Sequence, residues 1–457
     1  MRVLGYIHII NLFVILVFFT RCNQPAHDHD HDHGHHHHSS SYFDGISDKL
    51  LFPSKSPDRV ILNLTANPME AVAVNWRTDT TITSGVVEVA IASAGPEIRQ
   101  NPRKINAKTS FLKSQHENEP EIFANYHEAI IDNLKPGEKY AYRVGQGDSW
   151  SEWYQYQMPD PENRPISFIY FGDAQNDVKS MWSRVIREAY KTLPEVDFML
   201  HAGDLINRHN RDVEWGEWFH AGGFLHAMVP SVMTPGNHEY KNVVLSPQWK
   251  PQFNLPKNGP KGLEETCYFI DYPDFKVISL DAEQIDESEA FRDAQKQWLD
   301  SLLAANPKKW TAITFHYPVF STKPNRDNEK LREYFKPIFD KYKVDIVLQG
   351  HDHAYGRGMV NNVPTGSNVR EQSSGTMYVV SVSGPKMYDV SDDEWMERRA
   401  GNTQLFQIIS IENNILSYEA FSADGKLYDA FDLQKSEGKP NKLVNRIPDV
   451  EERLLEQ

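Results

Sequence analysis

Five short stretches of this chain end an apolar run in residues that bind metals or move protons. Asp173 follows "FIYFG", Asp204 follows "MLHAG", Asn237 and His238 follow "VMTPG", His316 follows "AITF", and His351 and His353 follow "VLQG". Singly these fragments carry little: a Gly-Asp pair usually marks a turn, and a lone His-Tyr-Pro a loop histidine. Together, and in this order, they offer imidazoles, carboxylates and one carboxamide to a common site. Mixed nitrogen and oxygen donors suit Zn, Fe and Mn and are too nitrogen-rich for a Ca or Mg cage. Two metals about 3.5–4 Å apart need a shared ligand, normally a carboxylate. The i, i+2 spacing of His351 and His353 on extended backbone sends both rings to one side, where each can serve a different metal.

The elements that carry these residues must bring their ends together. "ISFIYFGDAQ" and "VDFMLHAGDL" are continuous apolar runs, as in strands buried on both faces. "NDVKSMWSRVIREAYKTL" places Trp182, Val185, Ile186 and Ala189 at helical spacing, with Asn176 or Asp177 as the cap. "AFRDAQKQWLDSLLAANP" and "LREYFKPIFDKY" are further amphipathic helices. Strands alternating with helices predict an α/β domain over 164–433 whose strand ends converge on one crevice. "TMYVVSVSG", "LFQIISIENNILSYEAFS" and "GKLYDAFDL" read as hairpins completing its sheet, and 434–457 as a loose charged tail. Ahead of it, over 56–160, short β-branched runs such as "RVILNL", "AVAVNWRT" and "KYAYRVG" predict an all-β sandwich with Trp76 in its core.

The ordered set "GDAQ … GDLIN … GNHE … FHYP … GHDHAYGR" resembles the calcineurin-like metallophosphoesterases. With "NWRT" and "NLKPGEKYAYRVG" before it, the chain is similar to the purple acid phosphatases. The resemblance implies a fibronectin type III-like sandwich followed by a four-layer αββα domain with a dinuclear centre that hydrolyses phosphate monoesters. It implies one metal on Asp173, Asp204 and His353, and a second on Asp204, Asn237, His316 and His351, with Asp204 bridging. It gives His238 the role of proton donor to the leaving group, and a metal-bound hydroxide that of nucleophile.

Two positions depart from the family. Its metal-binding tyrosine is replaced by Asn207, and the histidine that the wider superfamily carries two residues after the first aspartate is replaced by Gln175. Either amide oxygen is a candidate replacement ligand, and no tyrosinate colour is expected. The metals are expected to be two divalent or trivalent ions of Fe, Zn or Mn. The family's substrate-side histidines are missing between Pro318 and Gly350, so Lys323, Arg326, Arg357 and Lys386 are candidate anion contacts. His201 is expected to orient a ligand by hydrogen bonding, and His220 and His226 to pack or face solvent. A phosphodiester or nucleotide is the alternative substrate for the same centre.

The chain has 457 residues, 48 basic and 63 acidic, for a net charge of −15. That balance argues against a nucleic-acid partner, while a bound metal reverses the field locally. "MRVLGYIHIINLFVILVFFTRC" has the layout of an export signal over 1–22, and Cys22 resembles the lipidated cysteine of bacterial lipoproteins. Arg21 stands where such signals carry a small residue, so an uncleaved anchor is the alternative. Residues 23–55, with "AHDHDHDHGHHHH", read as a disordered tether, its imidazoles open to transition metals. The expected setting is an exported, membrane-tethered lipoprotein, periplasmic or at the cell surface. Its expected partners are a lipid membrane through Cys22 and a small phosphorylated substrate. Cys267 is the only other cysteine, which excludes a disulfide scaffold and reads as a buried thiol.

Overall fold

The structure is a computed structural model that describes residues 48–117, 119–360 and 374–454. The export signal, Cys22 and the His/Asp-rich tract lie outside the described residues. Among those described, no helix is long and apolar enough to cross a membrane.

Two sheets organise everything else. The larger holds fifteen strands and the smaller seven. In the α/β part, the larger contributes the parallel trio Ile166–Phe171, Phe198–His201 and Ser231–Met233. The antiparallel meander Leu405–Glu412, Ile415–Ser422, Leu427–Gln434 and Lys442–Asn445 continues from Ile166–Phe171. The smaller sheet is built on Phe275–Ser279, Trp310–Thr314, Ile346–Gln349 and Met377–Val380, all parallel. The inner faces of the sheets meet in one core, where Phe168 stacks on Phe198 at 4.6 Å and on Phe275 at 5.8 Å. Helix Ser183–Thr192 closes the outside of the first sheet through Val185, Ile186 and Ala189. Helices Glu289–Ala304 and Glu329–Tyr342 cover the second through Leu299, Leu303, Phe335 and Phe339. The result is the expected αββα layering.

The N-terminal β region has its own core, in which Trp76 is 1 % exposed and stacks on His127 at 5.1 Å. Strand Arg103–Ser114 joins its two halves, pairing with Gly85–Ile91 through its first residues and with Ile122–Ile131 through its last. Its first strand, Asp58–Leu64, also runs parallel to Ser231–Met233, with Asn63 opposite Ser231. One sheet therefore spans both parts of the chain.

Three expectations are corrected here. Residues 48–55, assigned to the tether, begin with the helix Asp48–Leu51, whose Leu51 is buried and whose carbonyls at Leu50 and Leu51 accept from Arg59 and Arg77. The tail after 434 is not loose, because Lys442–Asn445 adds a strand and Arg453 bridges to Ala400. The helix near 180 has no side-chain cap: Asn176 and Asp177 adopt left-handed backbone, and a wide turn over Val178–Trp182 precedes Ser183–Thr192.

Candidate metal centre

Each loop that carries a candidate ligand leaves the C-terminal end of a parallel strand. The strands do not belong to one sheet, however. Asp173, Asp204 and Asn237 follow strands of the larger sheet, and His316 and His351 follow strands of the smaller. The crevice is the seam where the two stacked sheets end side by side, and a lone bridge between Asp173 and Val382 ties the sheets together there. The glycines of the motifs make the approach possible. A Cβ on Gly236 would overlap the Asp204 carboxylate, and one on Gly350 would overlap that of Asp173. Asp204 and His351 themselves sit at φ 51 and φ 71, a costly backbone that the surrounding hydrogen bonds hold in place.

Asp204, His316 and His351 offer ligand atoms that all lie within 4.8 Å of one another. His316 Nε2 is 3.2 Å from Asp204 Oδ2 and 3.1 Å from Asn237 Oδ1. His351 Nδ1 is 3.1 Å from the same Asn237 oxygen. On the other side, His353 Nε2 is 3.3 Å from Asp173 Oδ2 and 3.5 Å from Gln175 Nε2. Backbone carbonyls orient the rings: Ala202 accepts from His316 Nδ1 at 2.9 Å, and Lys386 from His353 Nδ1 at 2.9 Å. Both Nε2 atoms are thereby turned to the crevice, the arrangement seen where an imidazole is held as a ligand.

The electrostatics suit a cation. Asp173 Oδ2 is fully buried and accepts no hydrogen bond. Burial, together with the nearby charge of Asp204, pushes the Asp173 carboxyl up to about 7. Burial opposes a charged ring at His316, yet Asp204 and Asp173 outweigh it and push this histidine up to about 10. Two carboxylates thus crowd one dry spot and draw positive charge to it. His351 and His353 are held well below the ordinary range by burial, and so stay neutral as ligands must. Mixed imidazole, carboxylate and carboxamide donors around an orphaned buried oxygen fit a transition-metal pair.

His238 lies at the rim, its side chain 27 % exposed. Its backbone N–H donates to Asp204 Oδ1 at 2.9 Å and its Nδ1 to the Asn207 carbonyl at 2.7 Å, leaving Nε2 3.9 Å from Asp204 Oδ2. Asn207 enters the site through this carbonyl; among the described residues its carboxamide makes no hydrogen bond to the cluster. Gln175 does enter by its side chain, but as a donor: Nε2 meets Asp204 Oδ2 at 2.6 Å, and the buried Oε1 has no partner.

Two candidates leave the site. Arg357, expected to contact an anion, is fully buried and grips Asp429 through Nε at 2.9 Å and Nη2 at 3.0 Å, with Glu397 at 3.1 Å. It is a structural ion pair. His201, expected to orient a ligand, makes no hydrogen bond through either nitrogen and is packed against Phe171, Trp182 and Trp218. His226 is likewise buried, stacked on Trp218 at 4.1 Å, while His220 is exposed. Lys323, Arg326 and Lys386 gather instead at the rim beside His353, around Tyr388.

Sequence reasoning missed the carboxylates that hold the loops. Buried Glu239 accepts the backbone N–H groups of Asp204 (2.9 Å), Leu205 (2.8 Å), Ile206 (3.3 Å) and Gly236 (2.7 Å), binding the second motif to the third. Asp352, between the two histidines, pairs with Arg326 and accepts from Thr322 N at 2.7 Å and Ser321 Oγ at 2.6 Å. Glu214 accepts the N–H groups of Asn207 and Arg208, both at 2.8 Å, and Arg211 links it to Glu119 of the β region at 2.5 Å. A conspicuous acid inside a motif, the Glu of "GNHE" and the Asp of "GHDH", was the available signal for the first two.

Comparison with known proteins places this geometry. Residues 57–158 match the family model of the purple acid phosphatase N-terminal domain, and residues 166–355 that of calcineurin-like phosphoesterases. A stacked pair of sheets with metal donors on its seam is the frame of the second class. The chain belongs to that family as a purple acid phosphatase-like metallophosphoesterase. It is 26 % identical over 360 residues to "Probable inactive purple acid phosphatase 1" of Arabidopsis thaliana, covering 68 % of this chain and 57 % of the relative. It is 27 % identical over 266 residues to "Fe(3+)-Zn(2+) purple acid phosphatase 12" of the same plant, covering 53 % and 55 %. The matched region thus spans little more than half of either relative. In fold it is similar to a purple acid phosphatase from yellow lupin (Lupinus luteus) seeds, with a TM-score of 0.67 at 19 % identity over 84 % of this chain and 75 % of that one.

Proposed function

We propose that this protein hydrolyses phosphate monoesters at a dinuclear metal centre in which Asp204 is shared. The convergence of Asp173, Asp204, Asn237, His316, His351 and His353 on one buried seam carries the reading. Asp173, Asp204 and His353 would hold one metal, with Gln175 beside them, and Asp204, Asn237, His316 and His351 the other. Fe, Zn and Mn all fit these donors. Bound there, the metals supply Lewis acidity that neutralises phosphoryl oxygens and acidifies water. His238 keeps a fixed tautomer because Asn207 accepts from its Nδ1. With Nδ1–H so held, a second ring proton sits on Nε2, and the imidazolium form can give it to the leaving oxygen.

One relative is named as probably inactive; the presence of all six donors here favours turnover. The test is hydrolysis of a chromogenic aryl monophosphate, abolished by Asp204→Asn and strongly reduced by His238→Ala. Full activity after exhaustive metal removal would sink the reading. The substrate side favours a second reading, a phosphodiester or nucleotide, because Asn207 replaces a tyrosine and the rim carries cations rather than histidines. Mono- and diester turnover on one preparation separates them. We further propose export and tethering through Cys22, supported by the apolar run after Arg2. Fatty-acid labelling that persists in Cys22→Ala overturns the tether.

A further inference from the structure

The rim beside His353 carries an arrangement that neither the metals nor the proton donor uses. Tyr388 packs its ring 4.7 Å from that of His353, and its backbone N–H donates to the His353 carbonyl at 2.9 Å. The Lys323 ammonium lies 4.6 Å from the centre of the Tyr388 ring, and that of Lys386 5.5 Å. Arg326 reaches the same ring at 5.9 Å but is spent on buried Asp352. Neither lysine ammonium has a carboxylate partner among the described residues, on a chain with a net charge of −15. Both side chains are only partly exposed, and their loops are fixed. The Lys323 N–H donates to Asp352 Oδ2 at 3.3 Å, and the Lys386 carbonyl accepts from His353 at 2.9 Å.

Two positioned ammonium groups without counter-charge, resting on a tyrosine face beside a ligand imidazole, form an anion subsite. We infer that Lys323 and Lys386 bind a second phosphoryl group, so that the substrate class is phosphate compounds whose leaving group is itself phosphorylated, as in a diphosphate. The inference rests on the phosphoesterase reading and narrows its substrate. In the reaction, water adds to the terminal phosphorus and the bridging P–O bond breaks. The leaving phosphate keeps the electron pair, and the two ammonium groups meet its charge. A neutral aryl leaving group would make no such contact.

The experiment compares the full protein with the double variant Lys323→Gln, Lys386→Gln, both partly exposed positions that tolerate an amide. Calorimetry measures the binding of inorganic diphosphate and of inorganic phosphate to each; chelation of metal is common to both proteins. The wild-type protein should prefer diphosphate, and the variant should lose about tenfold or more in diphosphate affinity, the equivalent of one charge-assisted contact. Phosphate affinity should stay within about twofold, since no lysine contact is lost. In turnover, KM for ADP should rise while KM for phenyl phosphate stays unchanged. Equal losses for both ligands, or no loss for diphosphate, overturn the subsite. The binding arm needs no turnover, so a protein that binds selectively but hydrolyses nothing sinks the enzymatic reading and leaves the subsite standing.

Discussion

The two halves of the crevice are built to different standards. On the His316 side, Asp204, Asn237, His316 and His351 already stand within hydrogen-bonding distance of a common point, and a backbone carbonyl turns His316. On the Asp173 side, one carboxylate oxygen and the Gln175 Oε1 are buried without hydrogen-bond partners, and Gln175 spends its amide nitrogen on Asp204. The first half follows its family residue for residue; the second holds both departures. On the proposed reading, the Gln175 carboxamide would stand where an imidazole is usual and offer a metal a weaker donor, while the Asn207 carboxamide stays out of the cluster. If two metals share Asp204 as proposed, the difference teaches that they would be held with unequal strength.

His316→Ala should break the comparison most severely. It removes a ligand from the preassembled half and should lower activity by more than about a hundredfold, with loss of about one metal per chain by elemental analysis. Gln175→Ala should act on the other half alone, changing metal affinity there by about tenfold while the tighter metal stays. Gln175→His should push in the opposite direction, raising retention of Zn during dialysis by a similar factor. If both Gln175 variants leave metal stoichiometry and affinity untouched, the halves do not differ in this way. Asn207→Ala should do least. The carbonyl that holds His238 survives the substitution, so kcat should stay within about twofold.

How much of this was legible depended on whether a residue's partner was near in the chain. Asp173, Asp204, Asn237, His316 and His351 were readable because each interrupts an apolar run, and a buried strand has no other reason to end so. The helices over Ser183–Thr192, Glu289–Ala304 and Glu329–Tyr342 were readable from their apolar spacing. Two sheets were expected from the resemblance, but which strand end belongs to which was not readable, since a parallel strand has the same pattern in either. Arg357 was misread because its partner Asp429 lies 72 positions away. An arginine after "GHDHAYG" looks the same whether it points to a ligand or to a buried acid. His201 was misread through its place two residues before Gly203, whereas its packing against Phe171, Trp182 and Trp218 depends on three distant segments. Glu214 accepts backbone N–H groups, which leave no trace in side-chain spacing, whereas Glu239 and Asp352 stood in view as acids inside the motifs.

The pairing of Asp58–Leu64 with Ser231–Met233 has a practical consequence. A protein engineer who cuts near residue 160 to express the catalytic half alone would strip the outer neighbour from the strand leading to Asn237. That strand would become an open edge, ready to recruit a second chain. Such a fragment should clump even if every donor is retained, so the leading module works as a built-in cap for the enzyme and is no detachable appendage.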